Sequence, residues 1–120
     1  MRFINCSNHP SEFWGDEQLH FAKNIGKVID LPFPKVPGAA DEDQVDRIAE
    51  QAVKRIVSLH PDVVMCQGEY TVTFRIVTML KALGVRVVSA CSERDVQQTI
   101  NEDGETIKEV KFHFVQFRNY

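Results

Sequence analysis

Short unbroken apolar runs alternating with helical segments predict an α/β fold, a three-layer domain on a parallel sheet of four strands with a C-terminal β-hairpin. Two observations carry this expectation. The runs lack polar alternation, which marks strands buried on both faces and covered by helices. A helical pattern also separates successive runs, and right-handed crossovers then favour the strand order 2-1-3-4.

Met1 to Cys6 reads as the first strand, ended by the loop-like Ser7-Asn8-His9-Pro10, where Pro10 pushes His9 away from helical angles. Asp16 to Asn24 places Leu19, Ala22 and the following Ile25 at helical spacing, with Gly26 as the C-terminal stop. Lys27 to Leu31 is the second strand, closed by Pro32-Phe33-Pro34-Lys35-Val36-Pro37-Gly38, which is too proline-rich to continue a ladder. Asp41 to Leu59 carries the clearest signal, a stripe of Val45, Ile48, Ala49, Ala52, Val53, Ile56 and Val57. Asp41 and Gln44 resemble a capping box, and His60-Pro61 ends the helix.

Val63 to Cys66 is the third strand, Tyr70 to Leu83 a helix stopped at Gly84, and Val85 to Ala90 the fourth strand. The tail differs. Gln97 to Ile100, a turn at Asn101-Glu102-Asp103-Gly104, and then Val110, Phe112 and Phe114 alternating with Lys111 and His113 predict a hairpin over 96–118. One face of it should cover the core or a partner subunit.

A chain of 120 residues is one domain by size, residues 1–120, with a hydrophobic share of 43% and a charged share of 26%, near globular averages. No apolar run approaches the ~20 residues of a membrane span, and the start lacks the apolar region of a signal peptide, so the expected location is the cytoplasm and no membrane partner is expected. A net charge of −3 without a Lys/Arg block argues against a long nucleic-acid duplex as partner. Cys6, Cys66 and Cys91 are odd in number and free of any CxxC pair, which indicates neither a disulfide framework nor a zinc knuckle. They end strands one, three and four, so a thiolate cluster with His9 is conceivable, but buried cysteine acting as a small apolar residue is far commoner. No metal and no cofactor are expected. His20, His60 and His113 are scattered over three elements and form no ligand set.

In an open parallel sheet ligands bind beyond the carboxyl ends of the strands, at the switch point where neighbouring connections leave in opposite directions. For the order 2-1-3-4 that point lies between strands one and three. Three polar clusters follow the relevant strands: Ser7-Asn8-His9, Gln67-Gly68-Glu69-Tyr70-Thr71, and Ser92-Glu93-Arg94. Gly68 would let backbone approach a ligand, and the N–H groups opening the third helix would accept an anion. Glu69 disfavours a bare phosphate there and suits a ribose hydroxyl or its proton. Ser7, Asn8 and Thr71 are donors to phosphate oxygens, His9 is placed for proton transfer, and Arg94 for neutralising a phosphodiester. Each has a plainer rival: Glu69 as a helix-terminal charge, His9 as a loop residue packed on Trp14, Arg94 as a solvated turn residue, Gly68 as a turn glycine.

The strings "INCSNHPSEFW", "IDLPFP", "CQGEYTVTFRIV" and "VVSACSER", in this order, resemble the small Rossmann-like proteins found beside type III CRISPR systems. That group is related in outline to the CARF domain and includes stand-alone ring nucleases. The resemblance implies a Rossmann-like/CARF-like fold and a homodimer that binds cyclic oligoadenylate across its two-fold axis and cuts it without a metal. A ribose 2′-hydroxyl would attack the adjacent phosphorus while the protein holds the attack in line. On this chain it implies that Ser7, Asn8 and His9 with Gln67, Gly68, Glu69, Tyr70 and Thr71 hold phosphate and ribose, beside Ser92 and Glu93. Arg94 would stabilise charge, and His9 or Glu69 would be the base. Two rivals stand beside this reading: a sensor or sponge that binds without cutting, and a nucleoside N-glycosidase or deoxyribosyltransferase with Glu69 as nucleophile.

Overall fold

A computed structural model describes residues Met1 to Tyr120. The strands β1 (Arg2–Ser7), β2 (Lys27–Asp30), β3 (Val63–Gln67), β4 (Arg86–Ile100) and β5 (Thr106–Asn119) form one sheet in the order β2-β1-β3-β4-β5. The first four are parallel, as the crossover argument predicts, and β5 is antiparallel to β4. The sheet therefore has five strands and is mixed, where a four-stranded parallel sheet was expected. The hairpin is not an appendage to it: β4 itself continues unbroken into the hairpin.

Three helices cover the sheet: α1 (Asp16–Ile25), α2 (Glu42–Ser58) and α3 (Tyr70–Ala82). Side-chain alternation along β1 and β3 divides the core in two. Ile4, Cys6, Val64 and Cys66 face α2 and α3, packing with Ala49, Ile56, Val72 and Ile76. Phe3, Val63, Met65 and Val88 face the other way, toward Ala22 of α1 and Trp14. Placing α1 on one face and α2 and α3 on the other puts the switch point between β1 and β3.

Local chemistry explains the boundaries. Asp41 caps α2 by accepting the Gln44 N–H at 2.8 Å while Gln44 Oε1 accepts the Asp41 N–H at 2.9 Å, the reciprocal pair expected from the sequence. β2 ends at Asp30, yet the amides of Leu31 and Phe33 still donate to the Asn5 and Ser7 carbonyls, at 2.8 and 3.3 Å. The proline-rich stretch thus continues two rungs of the ladder, because Pro32 and Pro34 alternate with the residues whose N–H is needed.

At the other edge the ribbon leaves the body. A register shift between Cys91 and Ser92 bends β4, and every residue from Ser92 to Thr99 beyond it is exposed. The turn closes on Asn101, whose Oδ1 accepts the N–H groups of Asp103 and Glu105, with Gly104 at φ 80°. A radius of gyration of 17.4 Å records the projection, against about 14 Å for a compact chain of this length. No helix is long and apolar enough to cross a membrane.

Candidate functional site

A cleft of about 930 Å³ opens at the carboxyl edge of the sheet, at the switch point between β1 and β3. The loop after β1 supplies Ser7, Asn8 and His9, the end of β3 supplies Gln67 and Gly68, and β4 supplies Ala90 and Ser92. The start of α1, Gly15 to Gln18, forms one wall and Phe112 and Phe114 of β5 another, with Phe13 and Trp14 between. Six of the residues singled out in the sequence therefore share one cavity: Ser7, Asn8, His9, Gln67, Gly68 and Ser92. Glu69, Tyr70, Thr71, Glu93 and Arg94 do not line it.

The loop after β1 is clamped by a polar network that sequence reasoning missed. Asn5 is buried, and its Nδ2 donates to the His9 carbonyl and to Asp30 Oδ1, each at 2.8 Å. Ser7 Oγ donates to Asn5 Oδ1 at 2.7 Å, and the Trp14 indole N–H donates to the same His9 carbonyl at 3.1 Å. Asp30 in turn accepts from the Ser11 hydroxyl at 2.8 Å. The Ser7 hydroxyl is thereby spent on structure, while the His9 imidazole, whose backbone alone is bound, stays exposed on the cleft. The signal available in the sequence was one polar residue inside an apolar strand, Asn5 in "RFINCS". A buried amide of that kind needs partners, and the neighbouring strand end provides Asp30.

The stretch from Gln67 to Thr71 resolves into separate structural jobs. Gln67 extends the sheet: backbone pairing of β3 with β4 runs from Val63↔Arg86 to Met65↔Val88, and beyond it the Gln67 amide accepts the Ala90 N–H at 2.9 Å and donates to the Ala90 carbonyl at 3.4 Å. Gly68 lies against the buried ring of Phe33, where an added Cβ would stand 2.6 Å from three ring atoms. Its missing side chain makes room for Phe33.

Glu69 is the N-cap of α3, as its plainer rival reading had it. Its carboxylate accepts the Thr71 and Val72 N–H groups at 2.9 and 2.8 Å and both oxygens also accept the Thr71 hydroxyl. The Thr71 backbone N–H is the main cause that holds the carboxyl below its usual range, helped by Val72 and by the Thr71 hydroxyl. The anion-accepting N–H groups expected at this helix are therefore filled from within. Tyr70 points to solvent.

Ser92, Glu93 and Arg94 do not follow the fourth strand as the sequence predicts but lie within it, as rungs of the ribbon opposite Phe114, His113 and Phe112. Glu93 faces away from Ser92 and Arg94, beside His113, whose Nδ1 lies 2.9 Å from Asp95 Oδ2. Arg94 shares its rung with the cleft-lining Phe112 on the Ser92 face, does not itself line the cleft, and makes no ion pair.

Cys6 and Cys66 sit opposite each other in the β1–β3 register, both buried as small core residues, while Cys91 is half-buried on β4. The facing thiol lowers Cys6 against the opposing effect of burial and raises Cys66, with burial adding to the rise. Neither thiol lines the cleft. Tyr120 closes the same region from the C-terminus, its hydroxyl donating to the Cys66 carbonyl at 2.6 Å and its N–H to the Val87 carbonyl at 3.0 Å.

The cleft's titratable residues are His9, Asp16, Glu17 and His113, with no lysine or arginine. The α1 start has no side-chain cap, so its N–H groups are left for an acceptor, beside two carboxylates of its own first turn. The arrangement suits a polar ligand with flat apolar parts: amides of Asn8 and Gln18 and the Ser92 hydroxyl for hydrogen bonds, and the rings of Phe13, Trp14 and Phe112 for stacking.

Fold and cleft together define an α/β protein with helices on both sides of a mostly parallel sheet and one ligand-sized opening at its switch point. The chain belongs to the family described as Uncharacterized protein MJ1673 family, whose model matches residues 1–118. No curated protein matches it.

Proposed function

We propose that the chain is a Rossmann-like, CARF-like protein that binds a cyclic oligoadenylate and opens the ring without a metal. The observation that carries this reading is the 930 Å³ cleft at the switch point, flanked by aromatic rings and by an uncapped helix start. Adenine rings stack on Phe112 and Trp14, a mode that contributes about 1–3 kcal/mol per base. Phosphate oxygens take the N–H groups at the α1 start, and Asn8 and Gln18 hold ribose or base edges. His9 accepts the 2′-hydroxyl proton as that oxygen attacks the adjacent phosphorus. The 5′-oxygen leaves and takes a proton from solvent, and the product of one cut is a single linear strand with a 2′,3′-cyclic phosphate at one end and a free 5′-hydroxyl at the other. Glu69 has no part in the step, since capping α3 engages both its oxygens. The N-glycosidase reading, which needs that carboxylate as nucleophile, is therefore not carried forward.

The cleft's lack of lysine or arginine favours a second reading, in which the chain binds the ring and does not cut it. One experiment separates the two: incubation with cyclic tri-, tetra- and hexa-adenylate, with and without a chelator, followed by chromatography. Linear products that survive chelation and vanish in His9→Ala support cleavage. Intact ring eluting with the protein supports binding alone, and neither ring eluting nor product forming sinks both.

A further inference from the structure

Beyond the bulge at Cys91, β4 and β5 form a bare two-stranded ribbon, an element that is at best marginally stable in water without a third layer. Its two faces differ. The outer face carries polar contacts of its own, with His113 beside Asp95 at 2.9 Å and Lys111 within 3.9 Å of Glu109. The face shared with the cleft carries Val96, Ile100, Val110 and Phe112, which are 51%, 76%, 45% and 70% exposed. Two cations interrupt that face, Arg94 and Lys108, and neither has an ion-pair partner in the chain.

The body offers the complement on the same side of the sheet. Phe13, 78% exposed, precedes α1, and Phe21, 50% exposed, follows its first turn with one edge against the chain's own Phe114 at 5.6 Å; between them Asp16 and Glu17 are likewise without an ion-pair partner. One surface is apolar and basic, the other apolar and acidic, and the ribbon projects too far for its outer rungs to reach its own helix. Ribbon against ribbon would bring like charges together, so the match is between the arm of one molecule and the α1 face of another.

We propose that two copies of this chain exchange arms about a two-fold axis, the Val96–Val110 face of each ribbon lying on the α1 face of its partner. The arm of nine rungs is ~30 Å long and ~10 Å wide, but α1 with its ten residues is ~15 Å long, so the two contacts together bury ~600 Å², in the range of weak, concentration-dependent interfaces. The exchange is isologous and closes on itself. It brings the arm's cations to the mouth of a cleft that has none among its own lining, which deepens the reading above by naming the surface through which the ligand site is shared.

The test reads mass, not turnover, so its failure is distinguishable from failure of the nuclease reading. Sedimentation of the native chain gives a dimer of twice 13.7 kDa. Val96→Asp with Val110→Asp, at exposed sites, gives a monomer with unchanged circular dichroism and a thermal midpoint that no longer depends on protein concentration. Arg94→Glu with Lys108→Glu weakens the dimer at least about tenfold, and adding Asp16→Lys with Glu17→Lys restores it. A native chain that stays monomeric, a dimer indifferent to the Val96/Val110 changes, or charge reversals that fail to rescue each other would overturn the proposal.

Discussion

Replacing Gly68 by alanine tests what that glycine is for. The added Cβ would meet three atoms of the Phe33 ring at 2.6 Å, closer than real Cβ contacts come, so ring or backbone must move. The ring cannot simply swing out: it is buried in the α2/α3 core, and its own N–H is bound to the Ser7 carbonyl at 3.3 Å. Overpacking of this kind costs about 1–3 kcal/mol. With a urea slope near 2 kcal/mol/M, a loss of ~2 kcal/mol moves the unfolding midpoint down by roughly 1 M. Phe33→Leu removes the ring atoms involved, so Gly68→Ala in that background should cost markedly less, a coupling of ~1 kcal/mol or more in the double-mutant cycle. Urea titrations of the four proteins, followed by Trp14 fluorescence, measure both quantities. An unchanged midpoint for Gly68→Ala, or strictly additive costs, refutes the packing account. Unchanged stability with lost ligand binding would instead return Gly68 to the ligand-approach role first read from the sequence.

Three further outcomes follow from the network around the cleft. Glu69→Ala should cost ~1 kcal/mol at neutral pH by uncapping α3. Because the folded-state carboxyl is held below its usual range, this contribution is complete above the unfolded carboxyl's titration and is lost as pH falls through the folded value; wild-type and variant melting curves should converge in acid. Asn5→Leu takes one donor from Asp30, which keeps Ser11, and one from the His9 carbonyl, which keeps the Trp14 indole, and it removes the Asn5 acceptor of the buried Ser7 hydroxyl; the cost is about 1–3 kcal/mol in all, and the loop from Asn8 to Ser11 is freed. Faster amide exchange confined to that loop and Trp14 is the reading. Tyr120→Phe removes the bond to the Cys66 carbonyl, at ~1 kcal/mol. Burial pushes the Tyr120 hydroxyl up, so its contribution is intact below the ordinary tyrosine range and falls as pH rises through the folded value. The native chain should lose stability across that alkaline window, and the variant should lose less.

What the sequence disclosed depended on whether a residue's role was set by burial pattern or by partners far along the chain. Buried runs such as Val63 to Met65, and the stripe from Val45 to Ile56, announce themselves because the core imposes a period on them. The capping box at Asp41 is equally legible, since both partners lie within three residues. The order of the first four strands followed from right-handed crossovers with helices on both faces of the sheet. The hairpin was legible in the Asp-Gly turn and in the alternation of Val110, Phe112 and Phe114, but its continuity with the fourth strand was not, for a physical reason: from Ser92 to Thr99 both faces of β4 meet solvent in one copy, and a strand with no buried face has no apolar alternation to betray it. Only Val96 and Ile100 mark the inner face, and two apolar residues in nine are too few to distinguish a strand from a polar loop.

The same division accounts for the candidate site. The three polar clusters were placed at one edge by topology, and topology brings six of their residues to one cleft. Side-chain roles within a cluster rest on contacts the sequence does not display. Gln67 completes a ladder with Ala90, 23 residues away, Gly68 yields to Phe33, and Glu69 turns inward to its own helix. Each of these residues is the type a ligand site would also use, because amide, glycine and carboxylate serve strand ends and helix starts by the same hydrogen-bonding chemistry that serves ligands. What distinguishes the two uses is whether the polar atoms are already satisfied. By that criterion Glu69 and Ser7 are spent. The His9 ring, the Asn8 amide and the N–H groups at the start of α1 are the groups still able to act on something that enters the cleft.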